Sequence, residues 1–342
     1  MELNKLIKDN FWNYHTLSEF EPIAYLKNIH EEDITSICFL KDGRLVTSST
    51  NTILIFNKNT FRIEIIIKEK GNVTYMNINK DGTLITCLYR TYLHLYEING
   101  NEYNIIQTIK PYDLISDVIG KFDNSFETQK FIELKNGNIA FLVWAYAVSF
   151  YKKKKNSKKY SYLNKYKEKD ERVTDLIELD NNEFCLFLTF EKKIQFLDMN
   201  TKKITENIKF NIYTSYSKNS LLLMNNKDIL VAGDKQMLVI DAQKKIIINT
   251  INLNVDFNLT SMYKLSYNII LVGYWNNYIE QLQYDENTKE IKVISRTMKT
   301  SINNGIYYVD NISIFNNNFI VTPYTINNKS KNSSLVIRKF KK

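Results

Sequence analysis

Apolar and polar residues alternate with a period of two along much of this chain, and the alternating runs come in pairs joined by short turns. Residues 34–40 form one such run, the turn Lys41-Asp42-Gly43-Arg44 follows, and Leu45-Val46-Thr47 begins the next. Residues 73–86 repeat the phrase around Asp81-Gly82. A period of two is that of a half-buried strand, and Asp-Gly between two such runs is the strongest short-range signal of a hairpin. The two phrases lie about 39 residues apart, close to the length of a four-stranded propeller blade.

The phrase returns in weaker form over 131–141, 176–185, 221–230, 262–270 and 312–320, with Asn136-Gly137, Asn181-Asn182, Asn225-Asn226, Asn268 and Asn316-Asn317 at the turns. Asn in place of Gly is physically reasonable, because it tolerates the left-handed region better than other side chains. About seven copies result, spaced by roughly 39 to 55 residues. Most continue into a third strand, such as Tyr92-Leu93-His94-Leu95-Tyr96 or Met237-Leu238-Val239-Ile240-Asp241, and a fourth, such as residues 62–67 or 246–251.

Four antiparallel strands per repeat predict an all-β fold, a seven-bladed β-propeller of four-stranded antiparallel blades. The last copy reaches Lys342 after three strands, while an unclaimed strand-like stretch lies over 22–29. A strand at 20–29 that completes the final blade would remove the open edges of an unclosed ring. The expected boundaries are a tail over 1–18 and a single propeller over 19–342, with blades near 30–70, 71–112, 113–168, 169–211, 212–253, 254–300 and 301–342. The third blade is the least regular, with residues 116–128 expected as an inserted loop.

The first copy also carries His30 and Asp33 before its first strand, Asp42-Gly43 at the turn and Ser48-Ser49 at the end of the second strand. In these residues and in its period, over nearly its whole length, the chain resembles the WD40-repeat family. It is divergent: no copy holds the family's Trp-Asp dipeptide, and Phe56-Asn57, Leu197-Asp198 and Ile240-Asp241 stand where it would fall. The family's buried Asp-His-Ser-Trp hydrogen-bond network is therefore expected to be incomplete in every blade. The resemblance implies a non-enzymatic binding platform.

Composition changes this picture little. The 342 residues are 44% hydrophobic and 13% aromatic, ample for a packed core, with only 9 Gly and 3 Pro. Abundant Asn, Lys, Ile and Tyr are what an AT-rich coding genome produces, so the net charge of +9 carries limited functional weight. Cys38, Cys87 and Cys185 sit in apolar runs without a second Cys or a His at ligand spacing, and are expected to be reduced core residues. Residues 1–5 lack the apolar core of a signal peptide, and no apolar run is long enough for a membrane helix; a cytoplasmic or nuclear location is expected.

Catalysis needs a positioned acid, base, nucleophile or metal. His15, His30 and His94 are the only histidines, and nothing in the sequence supplies them with the partner group that base activation requires. No nucleophile elbow, phosphate-binding glycine loop or zinc motif is present. No enzyme activity, cofactor or metal is expected.

The functional expectation is geometric. In a propeller the turns between second and third strands emerge on one face. Here they carry Tyr89, Arg90, Tyr92, Trp144, Tyr146, Lys192, Lys193, Tyr274, Trp275 and Tyr324, rich in the residue types that dominate interface energetics. These residues are the candidate contacts for a peptide or protein partner of unknown identity, in an intracellular multiprotein complex. A second feature is the run containing Lys152, Lys153, Lys154, Lys155, Lys158 and Lys159, expected as a protruding hairpin on the opposite face. It offers an alternative, nucleic-acid or ribonucleoprotein binding through residues 152–169. Phe61-Arg62-Ile63-Glu64 does not match the phosphoinositide motif of lipid-binding propellers, so that ligand is not supported.

Overall fold

The structure is a computed structural model that describes residues 20–89, 92–109, 128–143, 147–167, 173–180, 182–188, 190–212, 219–253, 259–265, 267–274, 279–297, 313–315, 319–324 and 333–340. The tail over 1–18 and the expected loop over 116–128 fall outside these, apart from Thr128. The described residues form 28 strands in seven four-stranded antiparallel sheets. The chain divides into two compact units, one from Thr35 to Leu221, the other made of residues up to Ile34 together with 222–342.

The first unit carries four sheets, each laid down in chain order. They are β2 (Ile34–Phe39), β3 (Leu45–Ser49), β4 (Thr52–Phe56) and β5 (Ile63–Lys68); β6 (Val73–Ile78), β7 (Leu84–Leu88), β8 (Leu93–Asn99) and β9 (Glu102–Ile109); β10 (Thr128–Glu133), β11 (Ile139–Val143), β12 (Ala147–Lys153) and β13 (Tyr160–Lys167); and β14 (Asp175–Glu178), β15 (Glu183–Leu188), β16 (Lys193–Asp198) and β17 (Lys203–Lys209). The middle strands are covered on both faces: every residue of β3 and β7 is buried. Their residues are accordingly apolar or small hydroxyl-bearing, with Thr47, Ser48, Ser49 and Thr86 buried beside Leu45, Val46, Leu84 and Ile85. Fourth strands such as β5 bury alternate positions only, and keep the period of two.

Consecutive sheets pack face to face through apolar side chains. Ile53, Ile55, Ile65 and Ile67 meet Val73, Met76, Leu84 and Tyr96. Leu93 and Leu95 meet Phe131, Phe141, Tyr151 and Tyr160. Leu142 and Phe150 meet Leu176, Phe184 and Leu186. Burial of each such side chain contributes about 1.5–3 kcal/mol. The first strands add polar stitches: Ser36 Oγ donates to Met76 C=O (2.9 Å) and accepts from Met76 N–H (3.1 Å).

Two turn types recur. In the turn between first and second strands the third residue is left-handed: Gly43, Gly82 and Gly137 at φ 90°, 86° and 80°, then Asn182 at 60° and Lys227 at 70°. At Gly82 the left-handed φ is the constraint; a Cβ there would lie 3.2 Å from Cδ of the Lys41 side chain, which would have to shift slightly. In the turn between third and fourth strands an Asx side chain caps the chain. Asn57 Oδ1 accepts from the N–H groups of Asn59 and Thr60, Asp241 Oδ1 from Gln243 and Lys244, and Asp285 Oδ1 from Asn287 and Thr288. These bonds hold the Asp241 and Asp285 carboxyls below the usual range.

The second unit carries β18 (Leu221–Leu223), β19 (Asp228–Ala232), β20 (Gln236–Asp241) and β21 (Ile246–Asn252); β22 (Leu259–Lys264), β23 (Ile269–Tyr274), β24 (Ile279–Tyr284) and β25 (Ile291–Thr297); and β26 (Ser313–Phe315), β27 (Phe319–Tyr324) and β28 (Ser333–Phe340), whose sheet is completed by β1 (Phe20–His30). Leu230, Met237 and Val239 pack on Met262, Ile270, Val272 and Tyr284. β1 runs antiparallel to β28, from Phe20 opposite Phe340 to His30 opposite Ser333. The N-terminal strand is thus the fourth strand of the last sheet, which closes the fold. Cys38, Cys87 and Cys185 are free and buried, and burial pushes the Cys38 and Cys185 thiols up.

Candidate partner-binding face

In the Thr35–Leu221 unit, three turns between second and third strands are tied by backbone hydrogen bonds to the segments that leave fourth strands. Asn51 C=O accepts from Glu69 N–H (2.8 Å), Asn72 C=O from Tyr89 N–H (2.7 Å), and Lys192 C=O from Phe210 N–H (3.0 Å). The same device in the other unit joins Lys235 C=O to Leu253 N–H (2.8 Å). These four turns are held before any partner arrives, which lowers the entropic cost of binding.

The turn between β7 and β8 rests on a buried polar cluster. Glu69, directly after β5, accepts from Tyr96 Oη at 2.6 Å and Thr86 Oγ1 at 3.1 Å, and its other oxygen lies 2.9 Å from His94 Nδ1. Burial opposes the charge on Glu69, but His94, Tyr96 and Thr86 outweigh it, and the carboxyl titrates below its ordinary value. Burial, and after it the hydrogen bond and charge of Glu69, push the Tyr96 hydroxyl up. The His94 ring lies parallel to that of Tyr92, centroids 6.2 Å apart, so the cluster supports an aromatic side chain at the turn. This corrects the expectation that no residue partners His94. The Glu–His–Thr–Tyr cluster is a different set from the family network expected to be incomplete.

Tyr89 and Tyr92 are part-exposed, Lys192 is part-exposed at φ 51°, and Phe190, which the sequence reading did not select, is 55% exposed. An aromatic side chain at a turn tip, outside the alternation of both flanking strands, is the signal that could have found it. Two expected contacts are corrected. Tyr274 is fully buried and donates to Glu280 Oε2 at 2.6 Å, because it is the last residue of β23 rather than part of the turn. Lys193 is buried as the first residue of β16, paired with Lys209 of β17. Arg90, Trp144, Tyr146 and Trp275 lie outside the described residues, as does the side chain of Tyr324.

The basic hairpin between β12 and β13 is only partly free. Lys153 pairs with Asp81, and Lys158 with Glu97 (2.6 Å), so two of its six lysines are spent on the preceding sheet. Lys152, Lys154, Lys155 and Lys159 are exposed.

No protein-family model and no curated protein matches the sequence. Solved structures do. A chain in the crystal structure of the mitotic checkpoint complex superposes with a TM-score of 0.70 at 11% identity, over 97% of this chain and 94% of that one. The structure of U3-55K gives 0.68 at 12% identity, over 93% and 98%. The fold is therefore a seven-bladed β-propeller closed by its N-terminal strand. Among propellers it is of the WD40-like kind. Such a match fixes the fold, and 1538 solved chains share it, so it selects no partner. Among the described residues no helix is long and apolar enough to cross a membrane.

Proposed function

We propose that this protein is a non-enzymatic interaction scaffold, a subunit of an intracellular assembly, and that it holds a peptide or protein on the turns between second and third strands. The observation that carries the reading is the pairing of aromatic side chains, exposed at Phe190 and part-exposed at Tyr89 and Tyr92, with hydrogen-bonded turn backbone. Tyr89, Tyr92 and Phe190 stand at turns that are bonded to the neighbouring connections, and Tyr92 is backed by the His94–Glu69 pair. Rigid aromatic anchors of this kind dominate the energetics of protein interfaces. Membership of the matching chain in the mitotic checkpoint complex supports a scaffold role by analogy of fold.

The test is affinity capture from native extract with the wild type and with a Tyr92→Ala/Phe190→Ala variant, washed at low and high salt. A fixed set of proteins that survives high salt and is lost with the variant is expected. Capture that is identical for wild type and a folded variant, or that washes away entirely with salt, would rule out an aromatic-anchored contact on this face.

A further inference from the structure

The positive charge of this chain is concentrated in one place. Residues 152–167, which span the end of β12, the turn after it and the whole of β13, hold eight lysines and no Asp or Glu. The full chain carries +9, so this stretch supplies +8 of it and the rest of the 342 residues only +1. A coding bias towards Lys acts on every hairpin alike and does not by itself produce that concentration. The local chemistry differs too. Four other sheets cap the turn between third and fourth strands with Asn57, Asp198, Asp241 and Asp285, whereas this turn opens on Lys154.

The hairpin is ordered by bonds within the chain. Lys154 N–H donates to Lys159 C=O (2.9 Å) and Ser157 N–H to Lys154 C=O (3.2 Å). The Gln107 carboxamide accepts from Tyr160 N–H and donates to Tyr160 C=O, both at 2.7 Å, which ties the base of the hairpin to β9. Lys153 pairs with Asp81 and Lys158 with Glu97 (2.6 Å), so these two carboxylates of the preceding sheet are already neutralised. Lys152, Lys154, Lys155 and Lys159 are exposed on this fixed frame, and Tyr162, on β13, is 47% exposed. Cations held in place before the ligand arrives lower the entropic cost of binding it.

We propose that this hairpin binds single-stranded nucleic acid, with Lys152, Lys154, Lys155 and Lys159 on its phosphates and the Tyr162 ring stacked on an unpaired base. Two features select that ligand among polyanions. The tip, Lys154-Lys155-Asn156-Ser157-Lys158-Lys159, has no apolar side chain. It has nothing to insert into a bilayer or into the pocket of a partner protein, while its ammonium, amide and hydroxyl groups all suit phosphate oxygens. The second feature is the ring. An exposed aromatic beside a row of cations is the arrangement that holds single strands, because every base has a face to stack. A duplex keeps those faces within its own stack, and would use the lysines without Tyr162. The hairpin shares no residue with the turns between second and third strands, so the two sites stand or fall independently.

The probe is a short fluorescein-labelled oligouridylate, read by fluorescence anisotropy against the full chain between about 50 and 200 mM salt. Its competitors are unlabelled oligouridylate, polyglutamate and phosphatidylserine vesicles. Binding is expected, with a log–log salt slope of about −3 from four phosphate contacts on a single strand. Lys154→Gln/Lys155→Gln should weaken it about tenfold or more and flatten the slope. Tyr162→Ala should weaken it about fivefold or more and keep the slope. Both variants alter exposed side chains, and the thermal unfolding midpoint checks their folding. Absence of binding at the lowest salt, or binding by either folded variant equal to that of wild type, overturns the proposal. Displacement by polyglutamate at a lower charge concentration than unlabelled oligouridylate needs overturns it in favour of an acidic protein partner. The same result with the vesicles overturns it in favour of a membrane surface.

Discussion

The Lys130 ammonium lies 2.7 Å from Asp175 Oδ1, joining the first strands of two consecutive sheets where both side chains are almost wholly enclosed. Asp175 also accepts from Leu176 N–H (2.8 Å) and, through Oδ2, from Leu221 N–H (2.9 Å). Burial pushes its carboxyl up, and the ammonium and the two N–H groups pull against that shift. A charge so enclosed is tolerated only with its partners present.

Asp175→Ala should therefore destabilise the fold by about 3–5 kcal/mol, because it strands the Lys130 ammonium and leaves Leu221 N–H unsatisfied. Lys130→Met/Asp175→Leu removes both charges together and should cost clearly less than the single change. Urea unfolding of the three proteins decides. A double variant no more stable than Asp175→Ala would show that the strands need the ion pair itself and not merely charge balance.

Glu69 gives a pH dependence with a definite sign. Its folded pKa lies below the ordinary value of 4.5, so the folded chain holds the carboxylate more readily than the unfolded chain does. The stabilisation is present above that value and is lost as pH falls through the lower, folded one. Glu69→Gln keeps the shape and removes the titration, so its stability should fall less steeply in acid. Urea midpoints between about pH 6 and pH 3 should converge for wild type and variant. Parallel curves would mean that other carboxylates control the acid limb.

The parts of the fold legible in the sequence were those with local signals. Asp42-Gly43 and Asp81-Gly82 marked hairpins because a left-handed turn residue flanked by alternation has few other meanings. The closing strand could be read because residues 22–29 are a strand-like, largely apolar stretch that precedes the first repeat and belongs to none of its copies. The polar cluster could not be read. His94 sits in the ordinary alternation of β8, and its partner Glu69 lies 25 residues earlier in a connecting segment, where a carboxylate reads as solvated. Tyr274 and Lys193 were misplaced for a related reason: at a strand end, one residue of register decides between turn and core. One missed signal was visible. Asp198-Met199-Asn200-Thr201-Lys202 and Asp285-Glu286-Asn287-Thr288-Lys289 share a five-residue phrase whose first residue caps the turn and whose fifth is left-handed, at φ 57° and 62°.

Tyr160 tests how the basic hairpin is anchored. Its ring is buried between sheets, and its hydroxyl accepts from Asn79 Nδ2 at 3.0 Å. Asn79 Oδ1 in turn accepts from Asp81 and Thr83 N–H, which shapes the neighbouring turn. Burial pushes the Tyr160 hydroxyl up to about 12, so it stays protonated through the neutral range. Tyr160→Phe keeps the packing and strands one buried amide donor, a cost of about 1–3 kcal/mol. Asn79→Ala/Tyr160→Phe should cost less than the sum of the single changes, and additivity in that cycle would show that the two groups do not communicate.

Lys227 offers the opposite sign. At the third turn position, where three earlier sheets place Gly, this sheet places Lys at φ 70°, with its N–H held by Met224 C=O (3.1 Å) and its C=O by Ala242 N–H (3.3 Å). Those backbone bonds fix the conformation whatever the side chain, and the left-handed region costs an L-residue about 1–2 kcal/mol. Lys227→Gly removes that cost and retains the bonds, against the greater chain entropy that Gly loses on folding. The strain term is the larger, so the variant should be more stable by several tenths of a kcal/mol to about 1 kcal/mol. Lys227→Val, whose branched side chain tolerates positive φ least, should shift the unfolding midpoint the other way. If Gly and Val shift it in the same direction, the turn does not hold residue 227 in the left-handed region.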